Sequence, residues 1–140
     1  MHYKKLNDEI QRRYNEFPMK FAFSDEQLKK GLAELGCSDV SEVVSIGGGG
    51  FIRRSDVDAF NTMARECANL HKTSIANDDE YVETMFYYEL GNHEYCVTMD
   101  VTDALHACNL TSEEVNNDPR LRKLLAAALK RYEQDCSDWF

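Results

Sequence analysis

Apolar residues recur every three or four positions along most of this chain, and this helical period constrains its fold more than any other feature. The first such segment, residues 2–17, ends before Pro18, and the last, about 119–135, begins at Pro119. Proline lacks the amide hydrogen that continues a helix but fits the first helical turn. Further helices are predicted at 25–35, at 56–75, at 78–90, at 100–108 and after Thr111. The segment from Ser24 to Gln27 has the capping-box pattern, which predicts Ser24 as the N-cap of the helix at 25–35. The chain is therefore predicted to be mainly helical.

Two segments rich in β-branched and aromatic residues interrupt the helical pattern, residues 42–46 and 51–54. The four glycines Gly47 to Gly50 separate them, which predicts an antiparallel hairpin. Residues 19–23 alternate in polarity and favour a further strand. We find no linker and no repeat, so we expect a single α+β domain over residues 1–140. It would be mainly helical, with a small antiparallel β-hairpin or three-stranded sheet.

The residues on both sides of the pair Gly91-Asn92 have two interpretations. A pair of this kind is typical of a two-residue turn, which would fold residues 86–97 into a hairpin. The alternative is a helix from about 78 to 90, because the apolar residues from Val82 onward keep helical spacing. Acidic residues at its start favour the helix as well, since they interact well with the helix dipole.

Acidic residues are concentrated in the second half of the chain. The whole chain has 16 Lys or Arg against 25 Asp or Glu, and residues 71–140 carry 6 of these bases and 14 of the acids. Residues 73–119 contain no Lys or Arg. Because such a segment repels phosphates, we expect no direct contact with nucleic acid.

The acidic segment also contains several tyrosines, and it has two interpretations. One is a solvated face that keeps the protein soluble. The other is a surface that docks on a basic protein partner, because aromatic anchors supply contact energy and complementary charge speeds association. The predicted binding surface consists of Asp78, Asp79, Glu80, Glu83, Tyr87, Tyr88, Glu89, His93, Glu94 and Tyr95.

Two smaller groups suggest other chemistry. The first is an anion site formed by Gly48, Gly49 and Gly50 with Arg53 and Arg54, although the Gly-Lys-Ser/Thr ending of a P-loop is missing and a flexible hairpin tip is the simpler interpretation. The second pairs Glu89 with His93 on one helix face, as a carboxylate that orients a general base. A helix end at which the histidine hydrogen-bonds locally is the simpler interpretation of that pair, so no catalytic residue is assigned.

Five cysteines occur at positions 37, 67, 96, 108 and 136, an odd number without CxxC spacing. They are typical of reduced thiols in a cytoplasmic protein. Three Cys/His pairs, at 67/71, 93/96 and 106/108, have spacings that zinc sites use, but small buried cysteines are commoner. We therefore expect no metal and no cofactor. No apolar run is long enough to cross a bilayer, so no membrane partner is expected.

Three segments carry a resemblance: Phe17 to Gln27, Gly49 to Asp56, and Met85 to Tyr95. With them the chain resembles a family of small uncharacterised proteins from gut bacteria and their phages or mobile elements. The resemblance implies an intracellular protein in a mobile genetic context, and it implies no activity, cofactor or catalytic residue.

Together these patterns favour a small acidic binding protein over an enzyme. The expected role is a phage or mobile-element inhibitor, of the anti-CRISPR kind, that docks on the basic nucleic-acid groove of a host defence enzyme such as a CRISPR effector. The alternative is a small ligand-binding protein or enzyme that uses the glycine hairpin together with Glu89, His93 and Glu94. The sequence does not indicate an oligomeric state.

Overall fold

A computed structural model describes the backbone of residues 1–139 as eight α-helices and one three-stranded antiparallel sheet. The helices are α1 (Tyr3–Glu16), α2 (Asp25–Glu34), α3 (Val57–Asn77), α4 (Asp79–Asn92), α5 (Tyr95–Thr98), α6 (Thr102–Ala107), α7 (Ser112–Asn117) and α8 (Pro119–Trp139). The strands are β1 (Met19–Phe21), β2 (Val43–Gly47) and β3 (Gly50–Arg53). The prediction of a mainly helical α+β fold with a small antiparallel sheet is confirmed.

The chain divides into two compact units. Unit 1 comprises residues 1–8 and the chain from His71 onward, and unit 2 comprises Glu9–Leu70. The expectation of a single domain over residues 1–140 stays a prediction. Among the helices of residues 1–139, none combines the length and the apolar composition that a bilayer-spanning segment needs.

Unit 2 contains the sheet, in the strand order β1-β3-β2. The central strand β3 buries Phe51 and Ile52, and Phe51 packs against Leu32 and Leu35 at the C-terminal end of α2. The glycines that precede Gly50 have positive φ angles, which a residue with a side chain rarely adopts. The four-glycine run is therefore the tight connection of the predicted hairpin.

Helix α2 begins at the N-cap predicted for it. The Gln27 amide donates to Ser24 Oγ at 3.2 Å, as the capping-box motif requires. The Gln27 side-chain oxygen accepts from the amide of Phe23 at 2.7 Å. The reciprocal bond thus reaches the residue before the cap and fixes the chain at the end of β1.

Unit 1 is built around α4, which is buried on most sides. It packs against α8 and α6, while α7 also packs against α8. The buried side chains of α4 are Tyr81, Val82, Thr84, Met85, Phe86, Glu89 and Leu90. A helix that is apolar around most of its circumference belongs in a core, so α4 is the central helix of this unit.

Residues 86–92 and 95–97 are helical, and the hairpin interpretation of residues 86–97 is wrong. Helix α4 continues through Gly91 to Asn92, and the single turn α5 follows after Glu94. Glu94 and Met99, which flank α5, both have left-handed backbone angles. Because α4 is surrounded by other elements, its backbone groups must form hydrogen bonds within the segment. A helix forms these bonds internally, whereas a two-stranded hairpin leaves the backbone groups along its outer edges without partners.

Two glycines within helices should respond oppositely to replacement by alanine. Alanine raises helix propensity by about 1 kcal/mol over glycine. A Cβ atom on Gly31 would lie 2.6 Å from Phe51 Cζ, whereas one on Gly91 would lie 3.6 Å from Tyr132 Cε2, an ordinary contact. We expect Gly91→Ala to stabilise the protein and Gly31→Ala to destabilise it by about 1–3 kcal/mol, the usual cost of overpacking. Urea unfolding measures both, and equal gains in stability would contradict the close packing at Gly31.

Candidate functional site

The most densely connected polar group of unit 1 is the carboxyl of Glu89, whose residue is only 4% exposed. The Tyr3 hydroxyl donates to Glu89 Oε1 at 2.8 Å. His93 Nε2 lies 3.3 Å from Glu89 Oε2, and Asn92 Nδ2 lies 3.5 Å from the same oxygen. A buried carboxylate without partners would cost several kcal/mol, so these contacts are what allow Glu89 to lie in the core.

Tyr3 carries the other half of this network. Its backbone amide donates to Thr84 Oγ1 at 2.8 Å, and its ring packs against the rings of Tyr81 and Tyr88 at centroid distances of 5.5 and 5.6 Å. Burial, followed by the bond to Glu89, raises the pKa of the Tyr3 phenol. The first turn of α1 is therefore bound to α4 through both backbone and side chain.

A second buried contact joins His71 to Tyr81 and Cys108. His71 Nε2 lies 2.9 Å from the carbonyl oxygen of Cys108, and His71 Nδ1 lies 2.6 Å from the Tyr81 hydroxyl. A carbonyl oxygen only accepts, so Nε2 carries a hydrogen, and in the neutral imidazole Nδ1 accepts from Tyr81. Burial raises the pKa of Tyr81. The imidazole thus connects the end of α3 to α4 and to the end of α6.

Glu89 and His93 do meet, as their spacing predicts, and they are one helical turn apart at the C-terminal end of α4. Both Glu89 oxygens have partners inside the unit, since Oε1 accepts from Tyr3 and Oε2 faces His93 and Asn92. These contacts give the pair a structural role, in which it joins α1 to the end of α4. Nothing tests general-base chemistry at this pair, which the sequence offered only as the less simple interpretation.

The acids at the start of α4 are engaged by neighbouring cations. The N-terminal amine of Met1 lies 2.7 Å from Asp78 Oδ2 and 3.2 Å from Glu80 Oε2. Asp78 also caps α4, because its Oδ1 accepts from the Tyr81 amide at 3.0 Å. The bond from Met1 and the bond from Tyr81 hold the pKa of Asp78 below its usual value. Asp79 pairs with Arg120 of α8 at 2.6 Å.

The tyrosines of the predicted surface divide between the interior and the exterior. The Tyr87 hydroxyl donates to Asp135, and the Arg131 guanidinium lies 4.6 Å above the Tyr87 ring. Tyr95 is only 8% exposed and packs against Tyr132 at a centroid distance of 6.0 Å. Tyr88 remains at the surface, 36% exposed. Two predicted surface residues, Glu89 and Tyr95, therefore lie in the interior, because core positions of α4 and α5 hold them there.

The other predicted surface acids differ in their surroundings. Glu83 is half-buried and Glu94 is exposed. The predicted set leaves out other exposed acids of residues 73–119, the segment without Lys or Arg. Among them are Asp103 on α6 and Glu113 on α7. Both residues are among the 11 acids of residues 73–119, so the sequence already placed them in the acidic segment. Their exposure depends on how α6 and α7 pack in the folded chain.

The predicted anion site does not assemble within unit 2. Arg53 Nε bonds Asp56 Oδ2 at 2.7 Å, and Arg54 Nε bonds the carbonyl oxygen of Ser41 at 3.1 Å. Arg53 ends β3 and Arg54 follows it, whereas Gly48 and Gly49 precede the strand. Four residue steps or more, about 13 Å of extended chain, therefore separate the arginines from these two glycines. Gly50 begins that strand and is buried beneath Ile46 and Phe21.

The glycine connection instead borders a cleft of about 600 Å³ in unit 2. Its wall combines apolar and small polar residues of the connection from β1 to α2, of α2, of the turn before β2 and of the hairpin: Ala22, Phe23, Ser24, Asp25, Leu28, Val40, Val43, Ser45, Gly49, Gly50 and Phe51. Phe23 is 76% exposed at its edge. A concave site of this volume falls in the range that small-molecule ligands occupy.

The Cys/His pairs suggested by spacing do not build a zinc site. His71 is bonded to Tyr81 and Cys108 as described, and the Cys108 thiol donates to the carbonyl oxygen of Ala104 at 3.2 Å. Among residues 1–139, no cluster of three or more His, Cys, Asp or Glu side chains is arranged to hold a metal ion.

Removal of the Tyr3 hydroxyl tests the Glu89 network. We expect Tyr3→Phe to lower the free energy of unfolding at pH 7 by about 1–3 kcal/mol, since a buried carboxylate loses a partner. Tyr88→Phe is the matched control, because it removes a hydroxyl that has no hydrogen-bond partner among the described residues. Urea unfolding of both variants measures the difference, and equal stabilities would contradict the structural role of Glu89.

The raised pKa of Tyr3 adds a pH dependence to this comparison. Above about pH 10 the unfolded chain loses the Tyr3 phenol proton while the folded chain keeps it, so stability falls by about 1.4 kcal/mol per pH unit for this group. Below that pH its contribution is fully present. The Tyr3→Phe variant should therefore lose stability less steeply above pH 10 than the Tyr88→Phe variant.

Comparison with known proteins identifies the family of the chain. A model described as a family of unknown function (DUF7659) matches residues 2–131, nearly the whole chain. No curated protein and no solved structure matches it. The expected resemblance to an uncharacterised family is thus confirmed, while an origin in gut bacteria or their phages stays a prediction. The match over residues 2–131 places this chain in the family of unknown function DUF7659.

Proposed function

We propose that this chain is an acidic binding protein that docks on a basic surface of a partner protein. The observation that carries the proposal is a set of exposed carboxylates in unit 1 that have no basic partner within residues 1–139: Glu94, Asp103 and Glu113. They are carried by the turn before α5 and by the first turns of α6 and α7.

The charge balance of the two units supports this choice of surface. Unit 1 contains 8 Lys or Arg against 15 Asp or Glu, whereas unit 2 contains 8 against 10. Several acids of unit 1 are already engaged within the unit, by Met1, by Arg120 and by the Glu89 network. The acids that remain exposed give unit 1 a negative field, and such a field accelerates association with a positively charged partner.

The partner that fits this chemistry is a protein whose basic groove normally binds nucleic acid. Carboxylates compete there for the same Lys and Arg side chains that neutralise phosphates. The finer form of the proposal is an inhibitor from a phage or mobile element that occupies such a groove in a host defence enzyme, for instance a CRISPR effector. It rests on the charge of unit 1 and on the resemblance given above.

A displacement assay tests the proposal. A purified CRISPR effector with its guide RNA is bound to fluorescent target DNA, and the chain is added at increasing concentration and at two salt concentrations. We expect loss of DNA anisotropy at low salt and a weaker effect at high salt, because exposed charges are screened. In a parallel measurement the chain alone should not bind the DNA. Effectors of several types are compared, and the absence of displacement from all of them would contradict the inhibitor form of the proposal.

Two matched triple variants identify the surface responsible. The first, Glu94→Gln with Asp103→Asn and Glu113→Gln, removes three exposed charges from unit 1. The second, Glu26→Gln with Asp58→Asn and Glu66→Gln, removes three exposed charges from unit 2. We expect the first to weaken displacement about tenfold or more and the second to have little effect, in keeping with local charge complementarity. If both variants lost displacement equally, only the net charge of the chain would matter, and this result would contradict a docking surface on unit 1.

The cleft of unit 2 supports a second candidate function, the binding of a small molecule. The sequence alternative combined the glycine hairpin with Glu89, His93 and Glu94, but the hairpin belongs to unit 2 and those three residues belong to unit 1. The second candidate uses the cleft beside Gly49 in unit 2. A thermal-shift screen of aromatic and anionic metabolites tests it. Ligands that stabilise the protein but not the cleft-filling variant Ser45→Trp would support it, and the absence of any such ligand would contradict it.

A further inference from the structure

The single turn α5 exposes two large apolar side chains to solvent. Val97 is 74% exposed, and Met99, the C-cap of the turn, is 66% exposed. No other large apolar side chain described in unit 1 is as exposed as these two. Single exposed apolar residues are common on proteins, whereas neighbouring ones form a patch that a partner can cover. We call Val97 and Met99 the α5 patch.

The backbone on both sides of α5 has an unfavourable conformation. Glu94 and Met99 have φ angles of 54° and 57°, in a region that residues with a side chain rarely adopt. Strained residues of this kind are concentrated at functional sites, where the surrounding structure holds them in place. Glycine would relieve the strain at both positions, but it would remove the carboxylate of Glu94 and the thioether of Met99. The turn therefore presents a charged and an apolar side chain at a cost in backbone energy.

A cavity of about 280 Å³ opens beside the α5 patch, between α5 and the C-terminal part of α8. Its wall is mainly apolar and consists of Tyr95, Cys96, Met99, Tyr132, Glu133, Cys136 and Ser137. The rings of Tyr95 and Tyr132 pack edge-to-face at a centroid distance of 6.0 Å, and both residues are buried. These two rings give the cavity a firm apolar floor, and the space above it admits one aromatic side chain.

Exposed carboxylates border the α5 patch and its cavity. Glu94 directly precedes α5, Asp100 directly follows Met99, and Glu133 lines the cavity. Among the described residues, none that lines the cavity is a Lys or an Arg. An apolar centre with a polar rim is the arrangement of a protein-binding hot spot. Because the rim is negative, the complementary partner surface carries positive charge around an apolar group.

We infer that the α5 patch and its cavity anchor the docking surface by receiving an aromatic side chain from a protein groove that binds single-stranded nucleic acid. This inference rests on the proposed docking function and specifies the class of groove. Grooves for single strands combine Lys and Arg with aromatic side chains on which the bases stack. A groove for duplex DNA fits less well, because it contacts mainly phosphates and sugars and needs no apolar anchor.

Each part of the α5 surface has a counterpart in such a groove. The aromatic side chain of the partner enters the cavity and contacts the Met99 thioether, since sulfur and aromatic rings attract one another. Glu94 and Glu133 pair with the Lys and Arg side chains that otherwise neutralise phosphates. The apolar contact slows dissociation, while the charges speed association and orient the two proteins.

The binding of two peptides of equal charge tests the anchor. Both are short and labelled with fluorescein; one alternates Lys with Trp and the other alternates Lys with Ser. Fluorescence anisotropy measures their affinity for the full chain. We expect the Lys/Trp peptide to bind about tenfold more tightly, the effect of burying one apolar side chain. High salt should weaken the binding of both peptides and leave this ratio unchanged, because salt screens charges and not apolar contacts.

Two matched double variants locate the preference. Val97→Ser with Met99→Gln removes the α5 patch, and Phe21→Gln with Leu70→Gln removes two exposed apolar side chains from unit 2. We expect the first variant to bind both peptides with the affinity that the wild type has for the Lys/Ser peptide. The second variant should keep the tenfold preference. All four side chains are exposed in the wild type, so we expect both variants to fold as it does.

The outcomes distinguish the anchor from the docking function. Equal affinity of the wild type for the two peptides, or an unchanged preference in Val97→Ser with Met99→Gln, would overturn the anchor. Salt-dependent binding of both peptides would in that case still support docking on a basic surface. An equal loss of preference in Phe21→Gln with Leu70→Gln would also overturn the anchor. Failure of the wild type to bind either peptide would overturn both the anchor and the docking function.

The displacement assay then tests the class of groove. Each effector is loaded with fluorescent single-stranded DNA in one series and with duplex DNA in the other. We expect the chain to displace the single strand more effectively, and Val97→Ser with Met99→Gln to weaken this displacement about tenfold at both salt concentrations. Displacement of duplex DNA alone would overturn the assignment to a single-strand groove.

Discussion

The structure of unit 1 depends on one buried carboxyl. Glu89 lies on the central helix α4, and it is 4% exposed among apolar neighbours, where an unpaired charge is unfavourable. Tyr3 supplies a hydroxyl from α1, and His93 supplies an imidazole at the end of α4. The same carboxyl therefore links the first turn of α1 to the C-terminal end of α4. It also accounts for the burial of Tyr3, whose amide and ring are bound to α4 as well.

This arrangement separates the acids of unit 1 into two classes with different consequences. Asp78, Asp79 and Glu89 are bound within the unit, to Met1, to Arg120 and to Tyr3, and they contribute to the fold. Acids on the short helices α6 and α7 lack such partners in the described chain and remain at the surface. The proposed docking function uses this second class alone.

Sequence patterns predicted the elements of the fold better than the contacts between them. Helical period, the Ser24 cap and the proline positions are local features, so α1, α2, α4 and α8 could be predicted with nearly correct bounds. Glu89 and His93 are close in sequence, so their contact was also predicted from spacing. The bond between Tyr3 and Glu89 was not predicted, because the two residues are 86 positions apart and helical periodicity relates only residues that are close in sequence. For the same reason the burial of Glu89 and Tyr95 could not be predicted from spacing.

A double-mutant cycle between Tyr3 and Glu89 tests the central claim most directly. Methionine has nearly the size of glutamate without its acceptor oxygens, so Tyr3→Phe, Glu89→Met and the double variant are compared with the wild type by urea unfolding at pH 7. If the hydroxyl and the carboxyl stabilise each other in the core, the double variant will be more stable than the two single losses predict, by about 1–3 kcal/mol. Additive losses, with a coupling energy of about zero, would contradict the account.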